Sequence, residues 1–249
     1  MLRQSGNAVP SHSSLRALIV AHGQPSDPAP AEAELARLAA AVADHLPGWH
    51  ITSASLADPG SLARAVTGAQ GLVYPMFMAD GWFTKTHLPQ RLAAVGAANW
   101  RCLVPFGLDP AVQALTVKIA TEATEEQSDG RAEVLLAAHG SFRSAAPSEV
   151  AYAMVRQLQA AGTAHVEAGF IDQSPKIADV ARGFGPNAVC LPFFAAKGGH
   201  VIDDLPQALA EAGFTGRLLP PVGLDGRVPG LIARALENAL HHAPSAPKG

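Results

Sequence analysis

LIVAHG (18–23) returns as LLAAHG (135–140), and YPMFMADGWFTKTHLPQ (74–90) returns without a gap as LPFFAAKGGHVIDDLPQ (191–207). Each pair lies 117 positions apart, and GLD (107–109) recurs at 223–225. Solenoid repeats have periods of about 20–50 residues. A single period near half of a 249-residue chain is instead the duplication of a whole folding unit. The copies are unequal. His22 matches His139, but His200 faces Phe83, so one half carries two motif histidines and the other carries one.

Outward from these segments, short apolar runs alternate with helical patterns. In the first half the pattern predicts strands near 17–21, 51–56, 71–77 and 101–105, with helices near 30–45, 60–68, 86–95 and 110–123. The second half predicts strands near 133–138, 165–171, 187–194 and 217–220, with helices near 147–161, 175–183, 203–212 and 227–240. VLLAA (134–138) and AVCLPFF (188–194) are continuously apolar, as strands covered on both faces must be. Alternating strand and helix patterns imply right-handed βαβ crossovers and parallel sheets. The expected fold is therefore α/β: two similar, doubly wound, four-stranded parallel-sheet domains. Their bounds are expected at 15–123 and 133–241, joined by a polar linker at 124–132, with a frayed leader (1–14) and tail (242–249).

Composition narrows the function classes. A net charge of −3 and a pI near 6.3 argue against general nucleic-acid or membrane-surface binding. Cys102 and Cys190 make no paired spacing and lie in or beside apolar runs, so both are expected to be buried and inert. No apolar stretch approaches the ~18–20 residues of a membrane span, and the N-terminus lacks the apolar core of a secretory signal. A soluble, cytoplasmic monomer is expected.

Ligands of doubly wound folds bind beyond the carboxyl ends of the strands. His139 follows VLLAA, and Gly140 gives the backbone room to turn. His200 lies beyond AVCLPFF, behind the flexible Lys197-Gly198-Gly199. Asp172 follows HVEAGFI and would converge on the same crevice, although a turn-forming Asp before Gln-Ser-Pro is an equal reading of it alone. Asp203 and Asp204 read as helix-initiating carboxylates that favour the helix dipole. There is no GxGxxG after the first strand of either half, no Walker A sequence and no GxSxG.

The AHG after each first strand, Phe170-Ile171-Asp172 with Pro175, and PFFAAKGGHVIDDLP (192–206) together resemble the sirohydrochlorin cobalto/ferrochelatase family, the class II tetrapyrrole chelatases. The resemblance extends over about residues 15–240 and fits the long, two-domain members. It implies that His139 and His200 are the chelatase pair and Asp172 the family acid, an aspartate where glutamate is commoner, with all three as the expected metal ligands. It also implies a degenerate first half. There Ala57 stands at the acid position, Phe83 replaces the second histidine, Trp82 replaces a glycine, and only His22 remains.

The activity so implied is insertion of Co2+ or Fe2+ into sirohydrochlorin, on the way to siroheme or cobalamin, with the metal as substrate and no organic cofactor. A neutral imidazole can hold a first-row metal transiently and accept a proton near pH 7. Imidazole and carboxylate select poorly among cobalt, iron and nickel. Sirohydrochlorin carries eight carboxylates, for which Arg143, Lys176 and Lys197 are the candidate cations. His22 and Phe83 are the candidate substrate contacts from the first half. Two other readings stay open: a tetrapyrrole or metal carrier that lost turnover, and a small-molecule lyase or isomerase on the same scaffold.

Overall fold

The computed structural model describes residues 15–125 and 133–241; the expected leader, tail and most of the linker lie outside them. Two four-stranded, all-parallel sheets are present. The first contains β1 (Leu15–Ala21), β2 (Trp49–Ser55), β3 (Leu72–Pro75) and β4 (Arg101–Cys102), in the order β2-β1-β3-β4. The second contains β5 (Glu133–Ala138), β6 (His165–Phe170), β7 (Val189–Pro192) and β8 (Arg217–Leu218), in the order β6-β5-β7-β8. Helices α1 (Pro28–Asp44), α2 (Ser61–Ala65), α3 (Leu88–Ala94) and α4 (Pro110–Glu125) belong to the first half, and α5 (Ala146–Ala160), α6 (Ile177–Ala181), α7 (Leu205–Ala212) and α8 (Val228–His241) to the second. The expected element order is borne out. The outer strands β4 and β8 are shorter than expected, because Pro105, Pro220 and Pro221 follow and have no N–H for a ladder.

Alternation along the strands divides the core into three. Ala17, Ile19, Leu72 and Tyr74 face one side of the first sheet; Leu18, Val20 and Val73 face the other, beneath α2 and α3. Leu135, Ala137 and Cys190 likewise face α6 and α7. Val134, Leu136, Val189 and Leu191 instead join the inner face of the first sheet in one continuous cluster with α1, α4, α5 and α8. The last helix of each half is exchanged: α4 packs on α5 and β7 of the second sheet, and α8 on α1 and β3 of the first. Arg217 at the start of β8 donates to the Ala123 carbonyl near the end of α4 at 2.6 Å. Arg101 at the start of β4 donates to Ala239 near the end of α8. Each exchanged helix thus has a cation at its negative end.

The GLD repeat has a steric cause. The Gly107 and Gly223 N–H groups bond to the Phe77 and Phe194 carbonyls, and a Cβ would meet Met78 O at 2.1 Å or Ala195 O at 1.9 Å. Only glycine admits so close an approach. One expectation fails: Cys190 is buried, and burial pushes its thiol up, but Cys102 lies exposed on the short edge strand β4.

Candidate functional site

In each sheet the first and third strands lie inside, and the chain reverses its direction of sheet growth between them. Ligands of doubly wound sheets gather at this switch point. In the second sheet His139 follows β5 and His200 lies beyond β7, so the two histidines flank it.

The segment that bears His200 is not the loop expected from its glycines. His200–Asp204 form a π-helical turn leading into α7, closed by a bond from the Leu205 N–H to the His200 carbonyl. Pro206 is one reason for the wider turn: it has no N–H for the Ile202 carbonyl. Phe83–His87 before Leu88-Pro89 repeat this turn in the first half.

The structure brings His139, His200 and Asp172 together. The two imidazoles meet edge to face, with ring centroids 4.5 Å apart and planes at 86°. His139 Nδ1 lies 2.9 Å from the Gly140 carbonyl and 3.6 Å from Asp172 Oδ2. Gly140 occupies the left-handed region at φ +69°, which turns its carbonyl back to the ring. The Asp172 N–H donates to the His139 carbonyl at 2.9 Å, and the Ser141 N–H donates to Gln173 Oε1 at 2.8 Å, tying the loops after β5 and β6. His200 Nδ1 bonds to Asp204 Oδ2 at 2.6 Å. These four side chains are 40–50% exposed, open enough for a ligand to reach them.

A carbonyl or carboxylate oxygen only accepts, so both Nδ1 atoms carry the proton. Both Nε2 lone pairs are therefore left without a hydrogen-bond partner among the described residues. The carboxylate of Asp172 sits at the far nitrogen of His139. Among the described residues no three His, Cys, Asp or Glu side chains surround one metal-sized point, so the three-ligand site expected of His139, His200 and Asp172 is not formed. The site is a pair of imidazoles, each with a carboxylate behind it.

Asp204 is the partner that sequence reasoning missed. Its carboxylate makes no cap bond at the start of α7 and bonds to His200 instead, a role beyond the dipole effect expected of it. Its position four residues after His200, one helical turn on, was the available signal. Phe142, three residues after His139, is 79% exposed. Lys176 donates to the Ile171 carbonyl at 2.5 Å and lies 5.2 Å from the Phe142 ring centroid. Arg143 and Lys197 are exposed.

The first half presents the same frame with other chemistry. His22 follows β1, and its ring lies 4.5 Å from Phe83, the distance that separates His139 from His200. The Leu56 N–H bonds to Ala21 as the Ile171 N–H bonds to Ala138, which puts Ala57 in register with Asp172. His87 stands where Asp204 does, stacked on the exposed Trp82 at 4.7 Å. No hydrogen bond, ion pair or ring contact among the described residues joins His22 or Phe83 to the second-half cluster.

Residues 133–239 match the CbiX family model. The chain is also similar to a solved structure of CbiX, described as the terminal enzyme for biosynthesis of siroheme in denitrifying bacteria. The identity is 48% over 90% of this chain and 99% of that one, with a TM-score of 0.84. SirB, a sirohydrochlorin chelatase from Bacillus subtilis subspecies spizizenii solved with cobalt, is 15% identical over 92% of this chain and 98% of that one, with a TM-score of 0.65. A multi-domain chelatase-like protein from Deinococcus radiodurans, DR2241, is 22% identical over 90% of this chain and 55% of that one, at a TM-score of 0.66. The last two likenesses are of fold alone. No curated protein matches the chain.

Proposed function

Because this chain belongs to the CbiX family, we propose that it is a chelatase that inserts Co2+ or Fe2+ into sirohydrochlorin with the His139–His200 pair. The observation that carries the reading is that pair: two imidazoles 4.5 Å apart at a switch point, each with Nε2 unbonded among the described residues. Insertion exchanges one divalent ion for two pyrrole N–H protons. The Nε2 atoms of His139 and His200 replace part of the metal's water shell. Two imidazoles do not close a cage, so the ion can leave for the ring. As the ring nitrogens take the metal, their protons pass to the vacated imidazoles. Asp172, 3.6 Å from His139 Nδ1, stabilises the imidazolium and passes charge towards solvent.

The same reading gives Arg143, Lys176 and Lys197 the substrate carboxylates, and His22 and Phe83 a supporting contact from the first half. Lys176 is already engaged with Ile171 and Phe142, so Arg143 and Lys197 are the freer cations. The protein supplies no organic cofactor in this scheme. The test is an absorbance assay of the purified protein with sirohydrochlorin and Co2+, Fe2+ or Ni2+ in turn. Conversion to the metallated spectrum faster than in protein-free controls is the expected result. Binding of the tetrapyrrole without any acceleration, for every metal, would favour the carrier reading and overturn this one.

A further inference from the structure

We propose that Asp204 is a positioning residue for His200, acting through the imidazole and without touching the metal; this rests on His200 being a metal ligand. The carboxylate stands 2.6 Å from His200 Nδ1, a short, charge-assisted hydrogen bond. That bond fixes the proton on Nδ1, points Nε2 away from the carboxylate and adds electron density to the ring, which strengthens it as a ligand. His139 is set differently: its Nδ1 bonds to the neutral carbonyl of Gly140 at 2.9 Å, with Asp172 farther off at 3.6 Å. The two imidazoles are thus unequal donors, and His200 is the stronger.

Two independent observations favour this role over that of a helix cap. Asp204 gives no side-chain cap to α7, although it immediately precedes the helix. The first half supplies an internal control, because its equivalent π-helical turn has lost both members of the couple: Phe83 stands for His200 and His87 for Asp204. The turn forms without the carboxylate, so the backbone does not require it. What the carboxylate serves is the imidazole.

The experiment measures Co2+ binding to the full chain by calorimetry, and separate KM values for Co2+ and sirohydrochlorin. Asp204→Ala should weaken Co2+ binding by about 10–100-fold and raise the KM for metal while leaving that for the tetrapyrrole unchanged. Asp204→Asn, whose neutral amide oxygen can accept the same Nδ1 proton, should restore the ring's orientation but not the added electron density, and so recover only part of the loss. In a His200→Ala background Asp204→Ala should add nothing, because its route to the metal is gone. Should alanine unfold the chain, Asp204→Ser is polar and too short to reach Nδ1, and should show the same defect. Wild-type Co2+ affinity in Asp204→Ala, with His200→Ala impaired, would overturn the positioning role alone. Wild-type affinity in His200→Ala would overturn the metal-site reading beneath it.

Discussion

His139→Ala and His200→Ala each remove one of the two free Nε2 lone pairs, and each should lower metal insertion by about 100-fold or more. Both side chains are nearly half exposed, so their removal opens no core cavity, and far-UV circular dichroism and melting temperature should stay at wild-type values. His22→Ala should cost less, because Phe83, Ala57 and His87 stand where its partner, acid and carboxylate would be. An equal loss from His22→Ala would mean that both halves share the catalytic work. A different residue contributes to alkaline stability, alongside the buried thiol of Cys190. Tyr74 is fully buried and donates to Asp109 at 2.9 Å. Burial and the neighbouring carboxylate push its phenol far above the ordinary value near 10. The unfolded chain ionises this tyrosine above about pH 10 and the folded chain does not. Its contribution is therefore complete below that pH and is lost as pH rises further, which denaturant midpoints between pH 8 and 11 can follow. Tyr74→Phe should cost about 1–3 kcal/mol at neutral pH and make the alkaline decline shallower.

At the scale of elements, the short helical turns after β4 and β8 act as fixed joints between each sheet and the helix it exchanges. Gly223→Ala would drive a methyl group to within 1.9 Å of the Ala195 carbonyl, so backbone must move. The expected cost is about 1–3 kcal/mol or more, read as a lower denaturant midpoint. Gly226→Ala, three residues on and facing open space, should stay within about 0.5 kcal/mol of wild type. Equal effects would remove the steric account of the GLD repeat. The π-helical turns belong to this scale too. Each forms one turn before a helix whose second residue is proline, and the second half uses that turn to join His200 to Asp204.

At the scale of the whole molecule, exchange of α4 and α8 makes each half the cover of the other. A fragment of residues 133–241 lacks Val112, Leu115, Ala120 and Ala123 of α4, which belong to the shared core. It should self-associate or unfold, as sedimentation and circular dichroism would report; a stable monomeric fragment would contradict the exchange. The repeat was legible in the sequence because a duplicated strand and its turn keep the same local requirements: apolar residues on both faces, then glycine where the chain must turn. The same regularity put His139, His200 and Asp172 at strand ends, since strand ends follow from where apolar runs stop. Cys102 was misread as buried, because an apolar run does not reveal that its strand is an outer one. The contact of Asp204 with His200 was not read from the sequence, because a carboxylate before a helix has two uses and only the folded π-helical turn brings it to the imidazole. The exchange of last helices was likewise invisible, since an amphipathic helix records that it covers an apolar face but not whose. Local pattern determined the elements and the histidines; long-range packing decided which sheet each last helix covers and which carboxylate serves which imidazole.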